Sequence, residues 1–139
     1  MNLTERYKKL IENWICSMKE YVAEPFDRHE LAYYGTGTDV WGIQTHMKGF
    51  SAHAVAAAAP DLDEARCGYR RDELIELSLK MLRFTLESHK TGSYHCTDGE
   101  DVKWGHHWLA ALAIERMMHG VDAIDAYLTE HDRERLHDV

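Results

Sequence analysis

From Thr4 to Val22 the apolar residues Tyr7, Leu10, Ile11, Trp14, Ile15, Met18, Tyr21 and Val22 recur at three- and four-residue spacing, with Lys8, Lys9, Glu12 and Lys19 opposite. A β-strand cannot gather such a set on one face, because its side chains alternate with a period of two. The spacing predicts an amphipathic helix. By Pro25 that helix must have ended, since proline and the residue before it both disfavour helical continuation.

The helical period returns along the chain. A second helix is predicted from about Val40 to Ala59, stopped by Pro60. Its Gly42, Gly49, Ala52, Ala54, Ala56, Ala57 and Ala58 let neighbouring helices approach closely, so it is expected to lie inside the stack. A third runs from about Asp72 to His89, with Asp72 expected to cap its start. Leu74, Ile75, Leu77, Met81, Leu82, Phe84 and Leu86 go most of the way round it, which implies burial on more than one side. A fourth is expected from about His106 to His119, ended by Gly120 as a C-terminal cap. A short helix over 121–128 follows, and then Thr129-x-x-Asp132 resembles a capping box that opens another. Only two prolines and nine glycines occur in 139 residues, which suits long helices.

The fold class read from this pattern is all-α, built of antiparallel helix pairs, in a single helical domain over residues 1–139. Trp14, Ile15, Leu77, Met81, Leu112 and Met118 are the expected core. The last helix is still in phase at Leu136 and Val139, so the chain reads as the N-terminal piece of a longer protein. Helices missing from such a piece would leave apolar surface uncovered, and homo-oligomerisation is expected from it.

Composition narrows the function classes. Apolar residues make up 45% and charged residues 29%, a globular balance. The formal net charge of −8 repels phosphate backbones and anionic lipid, which argues against nucleic acid or a membrane surface as partner. No apolar run approaches membrane-spanning length, and MNLTERYKKL contains no signal-type apolar core, so a cytoplasmic location is expected. Cys16, Cys67 and Cys96 are odd in number and contain no CxxC, which suits a reducing compartment. Histidine, ten in all, is the compositional excess that hints at chemistry.

Two long polar segments share a plan. Tyr34-Gly-Thr-Gly-Thr-Asp39-Val40-Trp41-Gly42 and Tyr94-His-Cys-Thr-Asp-Gly-Glu-Asp101-Val102-Lys103-Trp104-Gly105 each lead through Asp-Val to a Trp-Gly pair that opens a helix. Asp39 and Asp101 are placed to accept N–H groups at those helix starts. If successive helices run antiparallel, both segments emerge at one end of the stack. That end would collect Tyr33, Tyr34, Asp39, Trp41, Tyr94, His95, Asp98, Glu100, Asp101, Trp104, His106 and His107.

Several chemistries can be weighed there. GTGT lacks both a preceding strand and the third glycine of a nucleotide-binding loop. His95-Cys96 and His106-His107 are adjacent pairs whose side chains diverge, so neither makes a convergent metal site, and Cys96 reads as a small buried residue rather than a nucleophile. No cofactor is called for. Carbohydrate fits best: sugar rings stack on Trp41, Trp104, Trp108 and Tyr33, while carboxylates and imidazoles take their hydroxyls. An oligo- or polysaccharide is therefore the expected partner.

The run TGSYHCTDGEDVKWGHHWLAALAIERMMHG, with the helix-pair plan over about residues 30–120, resembles the N-terminal α/α-toroid region of heparinase II/III-like proteins. That resemblance implies an incomplete barrel of paired helices and a polysaccharide lyase acting on a uronic-acid sugar by β-elimination. It also implies His106 and His107 at the family's Asn-His position, with His106 standing where the asparagine would be, and a tyrosine, Tyr94 or Tyr34, as proton donor. A glycoside hydrolase using two of Asp39, Asp98, Glu100 and Asp101 is the rival on the same scaffold. A helical scaffold without activity is the third reading.

Overall fold

The computed structural model describes residues 2–139, and the chain is mostly helical. Helix α1 spans Leu3–Ser17, α2 Trp41–Ala58, α3 Glu64–Cys67, α4 Arg71–Ser88, α5 Leu109–Ala123 and α6 Glu130–His137. One small hairpin departs from the all-α expectation. Strand β1 (Val22–Ala23) pairs antiparallel with β2 (Tyr33–Tyr34), Val22 opposite Tyr34 and Ala23 opposite Tyr33. Among the described residues no helix is long and apolar enough to cross a membrane.

Helix α2 lies at the centre and packs against α1, α4 and α5, as its small residues require. Its His46 reaches Met81 and Thr85 of α4, while Arg71 at the start of α4 donates to the carbonyl of Ala57 at the far end of α2. Those two helices are thus antiparallel. Helix α5 runs parallel to α2: Ile43 lies beside Leu109 and Ala110, and Ser51 donates to the Arg116 carbonyl and accepts the Gly120 N–H. Helix α1 is again antiparallel to α2, with Tyr7 near Val55 and Ala59, and with Trp14 packed on Tyr34.

Local chemistry explains where the element ends differ from expectation. Helix α1 stops at Ser17 rather than Val22, because Lys19–Tyr21 form a 3-10 turn that delivers Val22 to the hairpin. Asp72 does not cap α4. Arg70 is the cap residue, its N–H is taken by Glu73, and Asp72 instead binds the Arg70 guanidinium. Asp101 caps nothing, since α5 begins only at Leu109. Gly120 does not end α5 either; it lies inside the helix, where a Cβ would stand 2.6 Å from the Phe50 ring. The glycine is there for close helix approach, and the expected helix over 121–128 shrinks to a 3-10 turn at Asp125–Tyr127. The Thr129–Asp132 capping box forms as expected, and Asp132 also makes a two-pronged pair with Arg83.

Of the expected core, Ile15 and Met81 are fully buried, and Trp14 and Leu77 pack on the core from its edge. Leu112 is only half-buried, and Met118 is 48% exposed. Helix α5 buries Leu109, Ala113, Met117, Gly120 and Val121 instead, a face rotated from the expected one. The rotation follows from the close α2–α5 contact, which selects the small residues Ala113 and Gly120 over the larger Leu112. Gly49 makes the same kind of contact on α2: a Cβ there would stand 2.5 Å from the Tyr34 ring. Gly49→Ala should therefore destabilise the protein by about 1–3 kcal/mol despite alanine's better helix propensity. A urea midpoint equal to or above that of the parent would show that the contact relaxes freely.

Candidate functional site

Both long segments come to the same end of the stack. The Thr97 N–H donates to the Gly37 carbonyl at 3.3 Å, the Thr97 hydroxyl donates to the Thr36 carbonyl, and the Asp39 N–H donates to the Asp98 carboxylate at 2.7 Å. Because α2 and α5 are parallel, their N-termini open side by side here. A narrow crevice between them is lined by Asp39, Val40, Ile43, Trp104, Gly105, His107, Leu109 and Ala110.

The exposed aromatic groups at this end are Trp41 and Trp108. Trp41 is the first residue of α2 and is 64% exposed; Trp108 immediately precedes α5 and is 68% exposed. Large apolar side chains left this far in water are surfaces for contact. His106 and His107 are exposed between the loop and Trp108. The His107 Nδ1 accepts the Leu109 N–H at 3.3 Å, which leaves the ring proton on Nε2. The first turn of α5 is closed locally, the Ala110 N–H donating to the His107 carbonyl at 2.9 Å and the Ala111 N–H to the Trp108 carbonyl at 3.3 Å, and in α2 the Gly42 N–H donates to the Asp39 carbonyl at 3.3 Å. Val40, at the start of α2, has φ of 59°, a left-handed conformation that a β-branched residue adopts only under strain of about 1–3 kcal/mol.

The remaining residues singled out in the sequence sit elsewhere or do other work. Trp104 is buried to 1% exposure; its indole N–H donates to the Thr85 carbonyl at 2.8 Å, and its ring meets His89 edge-on at 4.6 Å. It anchors the second loop and offers no face to a ligand. Tyr34 is fully buried, its hydroxyl without a hydrogen-bond partner among the described residues and its titration pushed up to about 12, by burial first. Tyr33 lies half-buried, with its ring 5.4 Å from that of Phe84.

Tyr94 faces a separate groove of about 370 Å³ lined by Glu24, Pro25, Phe26, Tyr33, Phe84, Tyr94, His95, Cys96 and Thr97. Its hydroxyl donates to Asp27 at 2.7 Å, and its ring stacks on His95 at 4.2 Å with Arg28 at 5.1 Å. Burial, then the Asp27 carboxylate, pushes the Tyr94 hydroxyl up to about 12. Asp27, Arg28 and the nearly bare Phe26 were not indicated by the sequence, because they meet Tyr94 across 67 residues of chain.

Two of the carboxylates at this end are engaged by the backbone. Asp98 holds the Asp39 N–H, and Asp39 holds the N–H of Val40 at 2.7 Å. Asp101 and Glu100 are exposed. Cys96 is fully buried and its thiol is pushed up to about 12, chiefly by burial. Among the described residues no group of three His, Cys, Asp or Glu side chains is placed to hold a metal ion.

No family model, curated protein or solved structure matches this chain.

Proposed function

We propose that the end of the stack formed by the starts of α2 and α5 binds an oligo- or polysaccharide, with Trp41 and Trp108 as stacking platforms. The observation that carries this is the exposure of both indoles at the neighbouring starts of the parallel helices α2 and α5, with the exposed His106 and His107 immediately before Trp108. Flat apolar faces ringed by donors and acceptors match a sugar ring, which has apolar C–H faces and a polar rim. The pairing of parallel α2 and α5 with antiparallel α1 and α4 supports the further reading that this is part of an (α/α) toroid, as the resemblance to heparinase II/III-like proteins implies.

The reaction we assign is β-elimination on a uronate-containing chain. His106 has both ring nitrogens available and would take the proton beside the sugar carboxylate. His107, with its proton on Nε2, would donate to the leaving oxygen or to the carboxylate. The buried Tyr34 and the Asp27-bound Tyr94 are not needed in these roles. For hydrolysis by a carboxylate pair, the rival on the same scaffold, Asp39 and Asp98 are engaged by backbone N–H groups, which leaves the exposed Glu100 and Asp101 as its candidates.

Trp41→Ala and Trp108→Ala should each lower affinity for the cognate oligosaccharide about tenfold or more, while leaving the thermal midpoint within a few degrees, since both rings are mostly in water. Tryptophan fluorescence titration across uronate-containing and neutral oligosaccharides checks the binding, and absorbance of the new C=C bond checks the chemistry. Binding unchanged in both variants would overturn the site. Binding without the new absorbance would keep the site and discard the elimination.

A further inference from the structure

The two cysteines outside the second loop are far apart in sequence and close in space. Cys16 is the penultimate residue of α1 with its side chain exposed, whereas Cys67 ends α3 and is fully buried. Helix α3 is a single turn laid along one edge of α1, and its contacts bracket Cys67. On one side of it, the Asp63 N–H and the Arg66 guanidinium both bind Glu12, at 3.0 and 2.9 Å. On the other side, a Cβ at Gly68 would stand 3.2 Å from the Cys16 sulfur and 4.0 Å from its Cα. Glu12 and Cys16 are one turn apart on α1. Cys67 therefore sits over the stretch of α1 between them, and packs with Ile15.

We infer that Cys16 and Cys67 form a dithiol pair that oxidises to an intramolecular disulfide joining α1 to α3. The oxidant is a hydroperoxide. The exposed Cys16 thiolate attacks the peroxide oxygen and becomes a sulfenic acid, releasing hydroxide or alkoxide. The Cys67 sulfur then attacks the Cys16 sulfur, the S–O bond breaks, and water leaves. Two thiols and one hydroperoxide thus give one disulfide, one water and the reduced peroxide. The order of the steps follows from access: Cys16 is open to solvent, while burial, with Glu12 nearby, pushes the Cys67 thiol up to about 11. The short α3 turn is the part that adjusts to bring the sulfurs to bonding distance, since it belongs to a connection and not to a long helix.

Cys96 is the internal control. It is fully buried at the other end of the stack and has no cysteine neighbour, so it should stay reduced under the same treatment. The experiment treats the whole protein with hydrogen peroxide, blocks free thiols with iodoacetamide, digests it and maps the peptides by mass spectrometry. The expected result is a Cys16–Cys67 cross-linked peptide that a reductant abolishes, a monomer on a non-reducing gel, and alkylated Cys96. Cys67→Ser should stop at the Cys16 sulfenic acid, trapped by dimedone. Oxidation of Cys16 in the wild-type protein to a sulfenic or sulfinic acid with Cys67 still alkylatable would overturn the pairing. So would a disulfide found only between two molecules.

Discussion

Trp104→Ala should be the most destabilising single substitution in the second loop, at about 3–5 kcal/mol, the usual loss for removing a fully buried large aromatic ring. The indole fills the space between α4 and the loop, and its N–H satisfies the Thr85 carbonyl inside the core. Its backbone also ties the loop down: the Trp104 N–H donates to Ser88, and its carbonyl accepts the Lys90 N–H at 2.9 Å. Trp104→Phe keeps much of the ring volume and leaves the Thr85 carbonyl unpaired, so it should cost less, about 1–3 kcal/mol. Urea denaturation read by circular dichroism checks both. A loss below about 1 kcal/mol for the alanine variant would mean that the loop is anchored by other contacts.

Acid should destabilise the fold well above the pH at which carboxylates titrate. His46 and His53 are fully buried, and burial pulls both down from 6.5 to about 4. His46 is held neutral by a fixed pattern of hydrogen bonds, its Nδ1 accepting the Tyr34 N–H at 2.9 Å and its Nε2 facing the Met81 carbonyl at 3.0 Å. His53 directs Nδ1 at the Gly49 carbonyl, 2.8 Å away. His89 is drawn down to about 4 as well, first by burial and then by Lys90 and Arg135.

In the unfolded chain these rings take up protons as the pH falls through about 6.5, whereas in the folded chain they do so only near 4. The unfolded state thus binds more protons across that window, and stability declines as pH falls through it. Each of His46 and His53 accounts for about 3 kcal/mol over the full window. Carboxylates held below their ordinary range, such as Asp132 beside Arg83, add their own loss at lower pH. Denaturation midpoints measured from pH 7 down to about 4.5 should fall steadily, and His46→Gln should flatten the slope. A pH-independent midpoint over that interval would sink the assignment.

The sequence alone determined much of this architecture. Helical spacing is a local property, so α1, α2, α4 and the capping box of α6 were legible within a few residues of their true limits. The small residues of α2 marked it as the central helix, because close approach leaves no room for larger side chains there. The alternation of helix direction also located the end where both loops meet, whereas the shared plan of the loops does not hold: Trp41-Gly42 opens α2, but Trp104-Gly105 lies ahead of α5 with its indole buried.

Tertiary structure decided the rest. Which face of α5 is buried depends on how closely it lies against α2, and nothing in its own period could choose Ala113 and Gly120 over Leu112 and Met118. Four tryptophans look alike in the sequence, yet the structure buries Trp104 against Thr85, leaves Trp14 at the core edge, and exposes Trp41 and Trp108. Tyr34 looked like a surface phenol and became core, because β2 turns its ring onto Gly49. Burial and partnership are set by contacts between residues tens of positions apart. A pattern of local spacing fixes which elements form, and only their packing fixes which side chains are left to meet a ligand.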